Sequence, residues 1–135
     1  MPVDLEIVSP ERLLLARPVD MVVIPAAEGE MGVLVNHAPM IVLLRGGTIR
    51  LYQGDAVTDR LFVSGGFAEV TPARVTVLAN EVMPVTEVSK SEAERRLAEA
   101  QAAYDGADKH DMAAVEAAMD RMQSARAMLE VAQAS

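Results

Sequence analysis

The chain has 135 residues, no cysteine and a formal net charge of −8. That length suits one compact unit, or one with an appendage. The missing cysteine excludes disulfides, thiolate-held zinc and thiol catalysis. The acidic balance excludes nucleic acid as an expected partner, and docking on anionic lipid with it, since both need clustered Lys and Arg.

Aromatic residues make up only 3 % of the chain, so a core must rest on Val, Leu, Ile, Met and Ala. The N-terminus lacks a basic segment followed by an apolar run, and no secretory signal is expected. The apolar stretches fall far short of the ~20 residues of a membrane span. No direct lipid insertion is expected.

The first 88 residues read as strands. Val3 to Val8 alternates, with Val3, Leu5 and Ile7 on one face and Asp4 and Glu6 on the other. Leu13–Ala16 and Met21–Ile24 are short apolar runs, each closed by a proline-containing segment. Ile41–Leu44 precedes a Gly46-Gly47 turn. Thr48–Tyr52 alternates and ends at Gln53-Gly54-Asp55. Arg60–Ser64 and Phe67–Thr71 flank Gly65-Gly66, and Arg74–Ala79 alternates again. Short strands with regular glycine and proline punctuation indicate an antiparallel sandwich or barrel.

From Ser89 the period changes. Ser89 with Glu92, and Ser91 with Glu94, have the spacing of a capping box. Ala93, Leu97, Ala100 and Tyr104 recur at helical steps, and Asp105-Gly106 closes that helix. Asp108 or Asp111 suits the N-cap of a second helix, whose expected apolar stripe is Met112, Val115, Met119, Met122 and Leu129. A connection of about five residues implies an antiparallel hairpin. The expected organisation is a sandwich over 1–87 and a helix–turn–helix over 88–135.

Chemistry-bearing groups are sparse. His110 falls in the polar inter-helix loop. His37 lies beside Asn36 and before Ala38-Pro39, as a loop histidine bonded to backbone or as an interface contact. Neither has the clustered donors that a zinc site requires. Glu28 and Glu30 flank Gly29 and imitate a carboxylate pair, but general acid–base catalysis also needs a pocket. The phosphate-loop pattern is absent. The residues alone therefore indicate a β-sandwich with a helical hairpin, binding protein partners, with no cofactor and no catalytic constellation.

Residues 28–40, Glu-Gly-Glu-Met-Gly-Val-Leu-Val-Asn-His-Ala-Pro-Met, resemble the signature loop of F-type ATP synthase epsilon subunits. The opening Leu-Glu-Ile-Val-Ser-Pro-Glu (5–11) resembles that family's first strand and turn. Phe-Val-Ser-Gly-Gly-Phe-Ala-Glu-Val (62–70) and Val-Thr-Val-Leu-Ala (75–79) resemble its late strands. The resemblance spans the whole chain. It implies a sandwich of about ten short strands followed by an antiparallel two-helix hairpin.

It also implies a non-catalytic rotor subunit of the central stalk. Such a subunit binds gamma, rests on the c-ring loops and couples proton flow to ATP synthesis. The implied location is peripheral, on the cytoplasmic face of the energy-transducing inner membrane. By position in the motif, Glu30 and His37 match residues facing the c-ring loops, with Gly29, Met31 and Asn36 beside them. Ser9 matches a position facing gamma.

Some members of that family bind ATP at the start of the first hairpin helix, through Ile or Leu, Asp, two variable residues, Arg and Ala. The matching residues here are Val88, Ser89, Lys90, Ser91, Glu92 and Ala93, with serine for the aspartate and glutamate for the arginine. No ATP binding is expected. In other members a basic hairpin reaches the alpha and beta subunits and inhibits hydrolysis. Residues 89–135 hold six Lys or Arg against nine Asp or Glu. Inhibition is therefore expected to be weak or absent. The rival readings are a stand-alone small-molecule-binding sandwich with a helical lid, and a hydrolase using Glu28 or Glu30.

Overall fold

A computed structural model describes residues 2–134, apart from the side chain of Arg12. Met1 and Ser135, the outer limits of the two expected segments, lie outside the described residues. Ten strands precede a short 3-10 turn and two helices. The strands are β1 (Val3–Ser9), β2 (Arg12–Val19), β3 (Met21–Ala26), β4 (Gly29–Val33), β5 (Met40–Leu44), β6 (Gly47–Gln53), β7 (Ala56–Val63), β8 (Gly66–Val70), β9 (Arg74–Ala79) and β10 (Val82–Pro84). The helices are α1 (Lys90–Gly106) and α2 (Met112–Ala134). This is the expected β-sandwich with a helical hairpin. Strands β4 and β10 go beyond the segments that the sequence pattern marks as strands; β4 lies inside the 28–40 motif.

The strand order is β10-β7-β6-β3-β5-β8-β9-β1-β2, with β4 paired to β3 off that path. All pairings described are antiparallel except β1 with β9, which run parallel. β3 is the strand where the two layers divide. One flank pairs with β4 from Val22 to Ala26, while the other pairs first with β6 (Met21–Val23) and then with β5 at Ala26. Pro25 sits between those two partners. Its carbonyl accepts from the Arg45 N–H on the β5 side at 2.9 Å. The N–H that proline lacks would point the same way, into the gap between β6 and β5, so no ladder bond is forfeited.

The alternation read from the sequence becomes the core. Val3, Leu5 and Ile7 of β1 are fully buried against Val75 and Val77 of β9 and the inner faces of β3 and β6. Each such aliphatic side chain contributes about 1.5–3 kcal/mol on burial. Arg17 and Asp59 close the open rim. Arg17 is opposite buried Leu5 and Asp59 opposite buried Leu51, so both face inward, and they pair as ions between β2 and β7.

Ser89 caps α1 by accepting from the Glu92 N–H at 3.2 Å. The reciprocal half of the expected capping box is missing, because the Glu92 carboxylate turns to Arg95 and Arg96 instead. Asp111 accepts from the Ala114 N–H at the start of α2, and Asp108 from the His110 N–H within the loop. The buried seam of α2 is Ala118, Met122, Ala125 and Met128. Met112 and Met119, assigned to the seam by their hydropathy, are exposed. Alanines set the seam because a methyl group lets the two helices approach closely, which brings the neighbouring positions rather than the longer methionines to the contact.

The hairpin lies against the sandwich. Phe62 of β7, Ala93 and Met128 form a second buried cluster. The Gln123 carboxamide accepts from the Gly46 N–H at 2.8 Å and donates to the Gly46 carbonyl at 2.7 Å. Arg96 forks onto Glu81, with its longer contact at 2.9 Å.

Candidate functional site

The motif of residues 28–40 divides into a strand and a turn. Gly29 opens β4 at φ +140, a conformation that glycine adopts without penalty. Glu30 points outward from β4, opposite Pro25, and Met31 is half-buried against the core. Asn36 takes φ +69 in the following turn, where its N–H donates to the Pro72 carbonyl at 2.6 Å. Asparagine tolerates that left-handed conformation better than other side-chain-bearing residues. The His37 N–H donates to Leu34, and Nδ1–H donates to the Ala38 carbonyl at 2.9 Å. That second bond ties the ring to the backbone and places the proton on Nδ1, since a carbonyl oxygen can only accept.

Glu30 stands on β4, and His37 follows just after the turn beyond that strand. Glu30 is paired with Arg50 of β6, Nη1 to Oε2 at 2.6 Å. Ser9 lies elsewhere, at the end of β1, in a shallow recess shared with Glu81 and Val82. No group of three or more metal-ligating side chains occurs among the described residues.

Two surfaces stand out beside this motif. A cleft of about 510 Å³ opens between the β3–β4 hairpin and β5, with Met31, Met40, Ile41 and Leu43 as apolar wall and Glu28 and Glu30 among its polar lining. It continues onto a row of outward apolar side chains in cross-strand register. Leu43 of β5 is opposite Phe67 of β8, which is opposite Leu78 of β9. Leu78 is opposite Val8 of β1, and Val8 opposite Leu13 of β2. Leu43 is 65 % exposed and Ile41, two residues before it, 75 %. One apolar residue in the open is ordinary; five strands contributing one each to a single row make a surface suited to a protein partner. The sequence carried this signal as runs that stay apolar on both faces, Ile41–Leu44 above all.

The hairpin start is rich in ion pairs. Glu92 accepts from Arg95 and, at 2.9 Å, from Arg96. Those hydrogen bonds, Arg95 first, hold the Glu92 carboxyl down at about 2. Arg95 also pairs with Glu99, and both guanidinium groups are raised above their usual value by their carboxylate partners. The recess that Arg95, Arg96 and Arg121 line, about 410 Å³, also contains Glu99 and Asp120.

A family model, ATP synthase, Delta/Epsilon chain, beta-sandwich domain, matches residues 2–85. The chain is 67 % identical to the ATP synthase epsilon chain of Granulibacter bethesdensis, over 96 % of each protein. It belongs to the F-type ATP synthase epsilon family. The epsilon chain of Gluconacetobacter diazotrophicus is 48 % identical over 98 % of this chain and 94 % of its own. Among solved structures, a chain of the Euglena gracilis mitochondrial ATP synthase, in an OSCP/F1/c-ring structure, superposes with a TM-score of 0.75 at 27 % identity. It covers 98 % of this chain and 81 % of that one. A chain from the Tetrahymena thermophila central stalk/c-ring structure shares the fold at TM-score 0.67 and 12 % identity, covering 98 % and 97 %. The family match ends at Pro84-Val85, so the epsilon hairpin lies beyond the matched domain.

Proposed function

We propose that this epsilon subunit is a non-catalytic coupling element of the central stalk, joining gamma to the c-ring so that proton-driven rotation reaches the catalytic head. The observation that carries this reading is the placing of two docking features on one rigid sandwich. The polar tip is the Glu30 and His37 segment, with Gly29, Met31 and Asn36, offered to the c-ring loops. The apolar row from Leu43 to Leu13 is offered to gamma, and Ser9 lies at the end of the β1 strand that contributes Val8 to that row. A load-bearing contact needs oriented polar groups on elements that do not yield, and strands supply them.

The 88–135 hairpin is a separate unit in this proposal, with neither nucleotide sensing nor strong inhibition. Arg95 and Arg96 are committed to carboxylates, and Glu92 stands where an incoming phosphate would need a cation. The subunit acts on the cytoplasmic face of the inner membrane as a peripheral component; none of its described helices is long and apolar enough to cross a bilayer. The test is co-purification. Tagged chain should bring down gamma, the alpha–beta head and the c-ring in fixed stoichiometry from detergent-solubilised membranes. Recovery of the chain alone, under conditions where the remaining complex stays intact, sinks the reading.

A further inference from the structure

Glu30 has a side chain with three rotatable bonds, on a surface strand. Left alone it would sample many directions, and a contact made through it would be loose. The structure supplies the missing restraint from a strand that the motif does not contain. Arg50 of β6 is opposite Val23 of β3, and Val23 is opposite Gly32 of β4. The three form one line across the outer face. Arg50 and Glu30 stand on opposite flanks of β3, yet Nη1 and Oε2 meet at 2.6 Å. The pair therefore closes over the back of β3, where Val23 and Pro25 are buried although they face away from the core. Gly32 presents no side chain to obstruct that crossing. Arg50 is steadied in turn by the Tyr52 hydroxyl, which accepts from Nε at 3.4 Å, and its pKa is raised by Tyr52 and Glu30 against the effect of partial burial.

We propose that Arg50 is the positioning residue for Glu30: it fixes the carboxylate over β3 so that one oxygen is held and the other is presented outward to the partner loop. This rests on the reading of Glu30 as a c-ring contact. Arg50 acts through Glu30 and needs no contact of its own with the ring. The remaining oxygen, Oε1, is an acceptor suited to an N–H or cationic donor in the partner loop. Arginine suits the role better than lysine, because a planar fork engages Glu30 and Tyr52 at once from one orientation.

The experiment uses the whole synthase, reassembled with its own subunits in proteoliposomes, and reads ATP-driven proton pumping per ATP hydrolysed. Five chains are compared: wild type, Glu30→Gln, Arg50→Met, Arg50→Lys and the Glu30→Gln/Arg50→Met double variant. Methionine keeps an unbranched apolar cover over Pro25, and thermal melting of each isolated chain checks the fold. Glu30→Gln and Arg50→Met should lower the ratio by a similar factor, up to about fivefold, the limit for one exposed ion pair. The double variant should fall no further than Glu30→Gln alone. Arg50→Lys should recover part of the loss, which a purely structural role would not predict. A loss in Glu30→Gln with none in Arg50→Met, or additive losses in the double variant, overturns the positioning role and leaves the contact reading intact. An unchanged ratio in Glu30→Gln overturns the contact reading and the positioning role with it.

Discussion

At the scale of single residues, two glycines in similar conformations separate strain from collision. Gly66 has φ +133, and a Cβ there would stand 2.2 Å from the Leu78 carbonyl oxygen, with the Ala79 Cα at 2.9 Å. Gly29 has φ +140 but nothing within 4 Å of such a Cβ. Gly66→Ala should therefore cost more than about 3 kcal/mol, while Gly29→Ala should cost about 1–3 kcal/mol for strain alone. Urea midpoints at unchanged slope measure both, and equal costs would show that the backbone conformation, not the collision, dominates. Glu92 gives a pH prediction. Its folded value is depressed from 4.5 to about 2, so its contribution is present above 4.5 and fades as the pH falls toward 2. Acid melting of the hairpin in that window should be shallower in Glu92→Gln than in wild type, monitored by helical circular dichroism. The Arg50–Glu30 pairing shows what a sequence hides at this scale: each residue reads as an ordinary surface charge, and only the β6–β3–β4 register brings them together.

Among the elements, those with a strong local signal were legible. β1 alternates cleanly because one face is core and the other solvent. β4 was not, since Gly-Glu-Met-Gly-Val has weak strand propensity and is held in place by its full-length pairing with β3. β10 is three residues long and exists only as a partner to β7. The α2 seam was displaced because hydropathy weights Met119 above Ala118, whereas close helix packing reverses that order. The hairpin itself is held by few contacts, and one is separable from the rest. Gln123→Ala removes both bonds to Gly46 and leaves its buried N–H and carbonyl unpaired. At about 1 kcal/mol each, that loss should speed hairpin amide exchange roughly 30-fold and leave β1, β3 and β9 protected as before. Hydrogen exchange followed residue by residue makes the comparison, and a uniform loss of protection would show that hairpin and sandwich open as one.

For the whole molecule, the exposed apolar row should matter only in the assembly. Phe67 is its one aromatic member and is 49 % exposed, between Leu43 and Leu78. Phe67→Asp should weaken binding to the gamma–alpha–beta assembly by at least about 30-fold, from the loss of roughly 2 kcal/mol of apolar burial and the added charge. The isolated chain should melt near the wild-type temperature. Calorimetric titration and thermal melting give the two halves of that statement. A chain ending at Val88 should leave the ATPase rate of the complex nearly unchanged, and ATP should give no micromolar binding heat with the full chain. A large rate increase on truncation would restore an inhibitory role to the acidic hairpin.

The parallel pairing of β1 with β9 has a consequence for biosynthesis. Leu5 pairs with Val75, so β1 waits for a partner made ~70 residues later. At ~5–20 residues per second that interval is roughly 4–14 s. Throughout it the nascent β1–β2 hairpin holds Val3, Leu5 and Ile7 without the sheet that will cover them. An unpaired apolar edge in a growing chain is a natural client for a holding chaperone, and this one ends its exposure only when Arg74–Ala79 emerges and closes the sandwich.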